Sequence, residues 1–366
     1  MLKKRNRIII IVLLLIFSLI SIITIYSARD SKELVSRQLI WYIVGFIIIL
    51  ITKKMSLKKV TNYSVILYVL GNISLLLLLI FGTKINGSKC WFIIPGIGSV
   101  QPSEFMKLIL IIVNAKVLND HKKIYTTPAI KSDLILIFKI FVLTLIPSVL
   151  TFLQPDTGIV LIYFLISFIM LFVYGIKKSI FIILIVIICI LIFSFLLFYF
   201  KYQNNFINIF GTSFFYRIDR LLDWSNNSGM QLTNAISAVK SAGVLGFGFN
   251  KTPIYIPESH TDFIFSVYSS NTGFVGTMFL LLIIAGFDYI LFDTAISSND
   301  NTYKYIIIGF LIMIAYQQIQ NISMNIGLLP ITGITLPFIS YGGSSLLSYI
   351  LGLTLILNYG GNKKNA

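Results

Sequence analysis

The residue of this sequence best placed for acid–base chemistry is Asp262, which follows His260 and Thr261 and leads straight into Phe263, Ile264 and Phe265. A carboxylate there can cap a helix N-terminus. It can equally sit at a cavity mouth as a general base, its pKa adjusted by partial burial. His260 can tune it or bond to backbone. Glu104 and Lys107 are three apart and share a face if the segment is helical. Exposed, such a pair contributes only ~0.3–0.5 kcal/mol; within a bilayer, ionisable groups line polar cavities or pathways. Asp156 lies in QPDTG, where Pro155 stops one helix and Asp156 can cap the next. Arg217, Asp219, Arg220 and Asp223 form a charged helical set ending at Trp224, which reads as an interfacial anchor. Lys139 stands alone in an apolar run, where snorkelling or pairing explains it.

The elements that must position these groups are membrane helices. The 366 residues are 57% hydrophobic and only 11% charged, with a mean hydropathy of +0.91; soluble domains carry about 25% charged residues. Apolar runs long enough to cross a ~30 Å hydrocarbon core recur along the chain. They predict an all-α polytopic protein of about ten spans, near 7–27, 38–52, 61–81, 104–118, 133–153, 156–174, 179–200, 264–295, 303–325 and 343–360. Residues 1–366 form one membrane domain in this reading, with a large extracytoplasmic loop at 201–262 between the seventh and eighth helices. The eighth segment is long for one span, so its first part is expected to be a reentrant or interfacial piece before the helix proper. Cys90 and Cys189 lie in different settings, which argues against a disulfide or a zinc site. The basic start and apolar run after it resemble a signal peptide, but the run is too long and is read as a retained first helix.

Lysine and arginine set the orientation, because short cytoplasmic loops accumulate them. With both termini cytoplasmic, the inner side collects Lys3, Lys4, Arg5, Arg7, Lys53, Lys54, Lys58, Lys59, Lys122, Lys123, Lys131, Lys177, Lys178, Lys304, Lys363 and Lys364. The net charge of +16 is then a topology signal and an attraction to anionic lipid; nothing points to nucleic acid. Asp30, Glu33, Glu104, Asp156, Asp219, Asp223, Glu258 and Asp262 all fall on the outer side, so the site faces outward.

Several outer stretches, taken together and in order, resemble the SEDS family (shape, elongation, division and sporulation), which includes FtsW, RodA and SpoVE. They are NGSKCW and QPSEFMK within 86–107, QPDTG at 154–158, HTDFIF at 260–265 and LPITGITLPFISYGGSSL at 329–346. The resemblance implies a peptidoglycan glycosyltransferase that polymerises lipid II at the outer face of the plasma membrane, with a class B penicillin-binding protein as partner. It implies Asp262 as the catalytic carboxylate and Lys89, Trp91, Glu104, Lys107, Asp156, His260 and Ser344 as substrate-binding residues. In such a reaction a sugar hydroxyl attacks an anomeric carbon bearing a lipid pyrophosphate. A general base takes the hydroxyl proton, while Lys89, Lys107, Lys251, Arg217 or a divalent cation such as Mg or Mn stabilises the leaving group. No cofactor is otherwise called for. The sequence departs from the family pattern twice: Cys90 stands where arginine is usual, and Tyr268, Ser269, Ser270 and Asn271 replace an expected acidic residue. A compensated charge pair, a specialised paralogue and weakened catalysis all fit those departures. So two further readings stand beside the polymerase: a non-catalytic activator of a penicillin-binding protein, and a flippase for a lipid-linked precursor.

Overall fold

The computed structural model describes residues 4–29, 31–52, 56–85, 88–94, 98–125, 129–212, 214–215, 218 and 229–359. Its helices are α1 (Lys4–Arg29), α2 (Lys32–Ile51), α3 (Leu57–Asn62), α4 (Ser64–Phe81), α5 (Pro102–Ile124), α6 (Ile130–Phe152), α7 (Thr157–Tyr174), α8 (Lys178–Lys201), α9 (Gln203–Phe210), α10 (Met230–Ser241), α11 (Ile264–Ile296), α12 (Asn301–Asn325) and α13 (Gly343–Tyr359). Among the described residues, eight helices are long and apolar enough to span a membrane: α1, α2, α4, α6, α7, α8, α11 and α12. The segments predicted at 104–118 and 343–360 form α5 and α13. The start predicted at 38 lies earlier, at Lys32, because Ser31 caps α2 by accepting the Leu34 N–H at 3.3 Å.

At the two extremes burial runs against hydropathy. The most apolar span, α8, reaches a mean hydropathy of 3.6 and buries none of that stretch; α12, at 1.4, buries 56%. An all-apolar helix is satisfied by lipid, whereas one carrying amides must turn them toward protein. Accordingly α5 and α12, which hold the polar residues, occupy the centre. Around them lies a core drawn from α1, α2, α6, α7, α11 and α13, including Phe17, Tyr42, Leu136, Ile162, Phe287 and Tyr349. Lys139 is exposed on α6, away from that centre.

One feature was not expected. Between α4 and α5, β1 (Thr83–Ile85), β2 (Ser88–Ile94) and β3 (Gly98–Val100) form an antiparallel sheet in the order β1-β2-β3. It pairs Thr83 with Trp91 and Phe92 with Val100. The segment read as a loop at 201–262 contains α9 and α10; the interfacial helix expected around Arg217, Asp219, Arg220 and Asp223 lies outside the described residues.

The eighth segment does divide in two. At Gly273 the backbone leaves the helix (φ 66°, ψ −164°), separating a short arm, 264–272, from the span that follows. The groups freed by the break are satisfied by the loop after α10. Phe247 N donates to Ser270 O at 3.0 Å and Gly248 N to Asn271 O at 2.9 Å. In return Phe274 N donates to Gly243 O at 3.0 Å and Val275 N to Val244 O at 3.1 Å. A Cβ on Gly273 would lie 2.3 Å from Gly246 N, and one on Gly246 would lie 2.4 Å from Asn271 O. Gly273→Ala is therefore expected to lose ~1–3 kcal/mol through backbone strain alone, beyond the collision with Gly246. A lower midpoint of thermal unfolding in detergent checks this, and an unchanged midpoint would contradict it.

Candidate functional site

The outer ends of the helices surround a cavity of about 540 Å³. Its walls come from β2 and β3, the starts of α5, α7 and α13, the turn before α11 and the loop between α12 and α13. Trp91, Glu104, Asp156, His260, Asp262 and Ser344, six of the residues singled out from the sequence, line it. Lys107 lies beneath the lining and Lys89 is elsewhere.

At the floor, Gln101 is the N-cap of α5 and Pro102 its first residue, where a missing N–H costs nothing. The helix thus starts with Glu104 and Lys107 one turn apart. Lys107 is fully buried and Glu104 nearly so, and their charged groups meet at 2.9 Å. Lys107 Nζ also donates to Gln317 Oε1 at 2.9 Å and lies 5.4 Å from the ring centre of Tyr349, whose hydroxyl donates to the same Gln317 oxygen at 2.8 Å. Lys107 thus has partners beyond the carboxylate, which helps offset the cost of burying its charge.

Asp156 caps a helix, as its place after Pro155 suggested, and lines the cavity as well. As N-cap of α7 it accepts the Ile159 N–H through Oδ1 at 3.3 Å, and through Oδ2 it accepts from Gln101 Nε2 at 2.8 Å. Burial pushes its pKa up to about 6; the Ile159 bond opposes the rise, Glu104 adds to it, and Lys107 lowers it. Ser344 is committed to protein: its hydroxyl donates to Ser99 O at 3.2 Å and accepts from Gln101 N at 3.0 Å, joining β3, α5 and α13.

Asp262 lies in the turn before α11. Phe263 is the N-cap residue there, without a side-chain cap bond, so capping is not the role of the Asp262 carboxylate. The turn is held by its carbonyls. Asp262 O accepts from Asn321 Nδ2 at 2.8 Å and Asn325 Nδ2 at 3.0 Å. Thr261 O accepts from Ser340 Oγ at 2.6 Å and His260 O from Tyr341 N at 2.9 Å. Burial, with a smaller push from Glu258, raises the Asp262 pKa to about 7. His260 is shifted down, mainly by burial and then by Arg29, against Glu258.

Lys89 points away. On a strand, neighbours face opposite sides; Cys90 faces inward, its thiol donating to Gln154 O at 3.0 Å, and Lys89 Nζ donates to Leu79 O at 3.2 Å. Lys251 is exposed and does not line the cavity, and Arg217 lies outside the described residues. Asn271, in the second departure, is built into the fold: its Nδ2 donates to Ser27 Oγ at 2.7 Å and its Oδ1 accepts from Thr252 Oγ1 at 2.9 Å. Cys90 and Asn271 thus pack on different elements, and neither supplies a charge for the other. Among the described residues, no group of three or more His, Cys, Asp or Glu side chains is arranged to hold a metal ion.

Sequence reasoning missed Glu258, which lines the cavity and accepts from Thr261 Oγ1 at 3.3 Å. It also missed Gln317, Asn321 and Asn325. Their spacing of four places them on one face of α12, and amides repeated along one face of a membrane span were the available signal. Asn321→Leu removes a donor from both Asp262 O and Ile334 O, the latter at 2.8 Å. Asp262 O keeps its bond from Asn325, so the expected loss is ~1–3 kcal/mol for the orphaned Ile334 carbonyl, with slower turnover. Thermal unfolding together with an activity assay checks this; wild-type values in both would contradict it.

Fold and site define a class: a polytopic membrane protein whose polar cavity opens on the side opposite its basic loops. Residues 5–365 match the family described as "Cell cycle protein", which groups FtsW, RodA and SpoVE. The chain belongs to this family and is a multi-pass protein of the plasma membrane. It is 30% identical to "Stage V sporulation protein E" of Bacillus subtilis (strain 168), over 97% of each chain. It is 31% identical to "Probable peptidoglycan glycosyltransferase FtsW" of the same organism, over 80% of this chain and 73% of that one. Among solved structures it resembles Thermus thermophilus rod shape determining protein RodA (TM-score 0.70, 26% identity, covering 95% and 94%). It also resembles a chain from a structure described as "Structural coordination of polymerization and crosslinking by a peptidoglycan synthase complex" (TM-score 0.80, 26% identity, 98% of each).

Proposed function

We propose that the protein is a peptidoglycan glycosyltransferase that joins lipid II units into glycan strands at the outer face of the membrane. The observation that carries this reading is the Asp262 carboxylate on a cavity of about 540 Å³, in a turn held at its backbone by α12. Asp262 takes the proton from the sugar hydroxyl of one lipid-linked unit as that oxygen attacks the anomeric carbon of another. General-base help of this kind contributes ~10²–10⁴ in rate. The lipid pyrophosphate leaves as an anion. The starts of α5, α7 and α13 face the cavity with their partial positive charge, and Lys107 adds a full one beneath. A divalent cation, if it came with the pyrophosphate as part of the substrate, would add to that neutralisation. Trp91, Asp156 and His260 shape the sugar-binding walls. The whole chain acts as one membrane domain, and a class B penicillin-binding protein is the partner that crosslinks the product.

Lipid II extension by the purified protein, with and without that partner, is the test. Polymer formed in either case supports the reading. A chain that co-purifies with the partner yet makes no polymer would leave the non-catalytic activator as the better account; the neutral Cys90 in the cavity wall is the observation that favours it.

The raised Asp262 pKa predicts a pH profile. The base must be ionised, so the polymerisation rate should rise through about pH 7 and level off above it. Stability should move the other way. The folded protein holds this proton at pH values where the unfolded chain, with a carboxyl near 3.8, has released it. Its contribution is therefore fully present below about pH 4 and is lost as pH rises through about 7. A rate that is flat between pH 5.5 and 8 would oppose the assignment.

A further inference from the structure

The loop joining α10 to the cavity turn has an apolar side that none of the described residues covers. Val244 and Leu245 are 65% and 78% exposed, and Phe247 and Phe249 are also exposed large apolar residues. In a water-facing loop this exposure would be costly. The loop is bonded to the top of a membrane span: its backbone exchanges four hydrogen bonds with the α11 break, and Phe274 and Val275, with which its apolar surface is continuous, begin the span and are themselves exposed. Irregular backbone is tolerated at membrane depth only where its polar groups are satisfied by protein. The Gly273 break supplies donors and acceptors for Gly243, Val244, Phe247 and Gly248, and the glycine pair 246/273 allows the close approach.

We propose that the loop 243–249 is inserted into the outer leaflet, with Val244, Leu245, Phe247 and Phe249 among the lipid chains, and that it anchors the arm 264–272 at a set depth. The arm begins next to Asp262, so the anchor also sets how deep the cavity turn lies. Lipid is the occupant because the surface continues the lipid-facing side of α11 and carries no charged residue from 243 to 249. The anchoring role rests on the proposed function; the insertion does not.

The test uses the full-length protein in vesicles of phosphatidylcholine and phosphatidylglycerol. Leu245→Cys, Phe247→Cys and, as a reference, Lys240→Cys at an exposed site on α10 are made with Cys189→Ser; Cys90 is buried. Each is treated with a membrane-impermeant maleimide, which needs a water-exposed thiolate. Leu245→Cys and Phe247→Cys should react at least about tenfold more slowly than Lys240→Cys in vesicles, and all three should react fully once dissolved in SDS. Equal rates in vesicles would place the loop in water and overturn the proposal. So would fast labelling that becomes slow only when the penicillin-binding protein is added, since the surface would then be a protein interface. For the anchoring role, Leu245→Glu should cut polymerisation in vesicles by about tenfold while leaving it within about twofold in detergent, where no leaflet sets depth; equal losses in both would remove that role and leave the labelling result standing.

Discussion

Asp262→Asn is expected to reduce lipid II extension by ~10²–10⁴-fold, the range that general-base help contributes, while leaving the protein folded. Asparagine matches aspartate in shape but cannot accept the hydroxyl proton at neutral pH. The contacts that hold the turn are made by the Asp262 carbonyl, to Asn321 and Asn325, and the substitution leaves them intact. Burial already disfavours the ionised carboxyl, with a pKa of about 7. Replacing it with a neutral group should therefore leave the thermal midpoint nearly unchanged near pH 4, where folding changes the protonation of this carboxyl least, and raise it at pH 8, where the wild type has lost that contribution. Polymer made by Asp262→Asn at the wild-type rate would remove Asp262 as the base. A lower midpoint at both pH values would assign it a structural role.

Lys107→Met is expected to have the largest effect on stability. It leaves the Glu104 carboxylate buried opposite an apolar chain and removes the donor to Gln317 Oε1, and breaking a buried pair from one side costs ~3–5 kcal/mol. Glu104→Gln combined with Lys107→Met should recover much of that stability, because no charge is then left uncompensated. Activity should stay low in the double variant, since the cation beneath the cavity is gone. Unfolding midpoints and polymer yield for the two singles and the double form a complete cycle. A Lys107→Met protein as stable as wild type would mean that Glu104 finds another partner.

The two results probe parts of the site that were legible to different degrees. Glu104 and Lys107 could be paired from their spacing alone, because three residues apart on a helix is a contact in itself. Asp156 was legible as a cap for the same reason, since Pro155 and the apolar run after it define a helix start. The division of the eighth segment was legible as excess length, although the break at Gly273 needed the loop that satisfies it. Lys89 was misplaced because a strand decides which neighbour faces inward, and the sheet at 83–100 was not foreseen. Glu258 and the amides of α12 were overlooked because their partners lie in other elements.

Composition and charge by themselves determined that the chain spans a membrane many times, which end of each helix faces out, and that its acidic residues gather on the outer side. These follow from transfer free energies and the distribution of basic residues, which do not depend on which helix packs against which. Only the tertiary structure decided that Lys107, and neither Lys89 nor Lys251, is the cation beneath the cavity. It alone decided that Asn321 and Asn325 hold the carbonyl of a residue some sixty positions earlier, at 2.8 and 3.0 Å. Local spacing specifies what shares one face of one helix. Which faces meet is settled by packing among all of them, where buried groups such as Lys107 and Asn321 find partners on other elements.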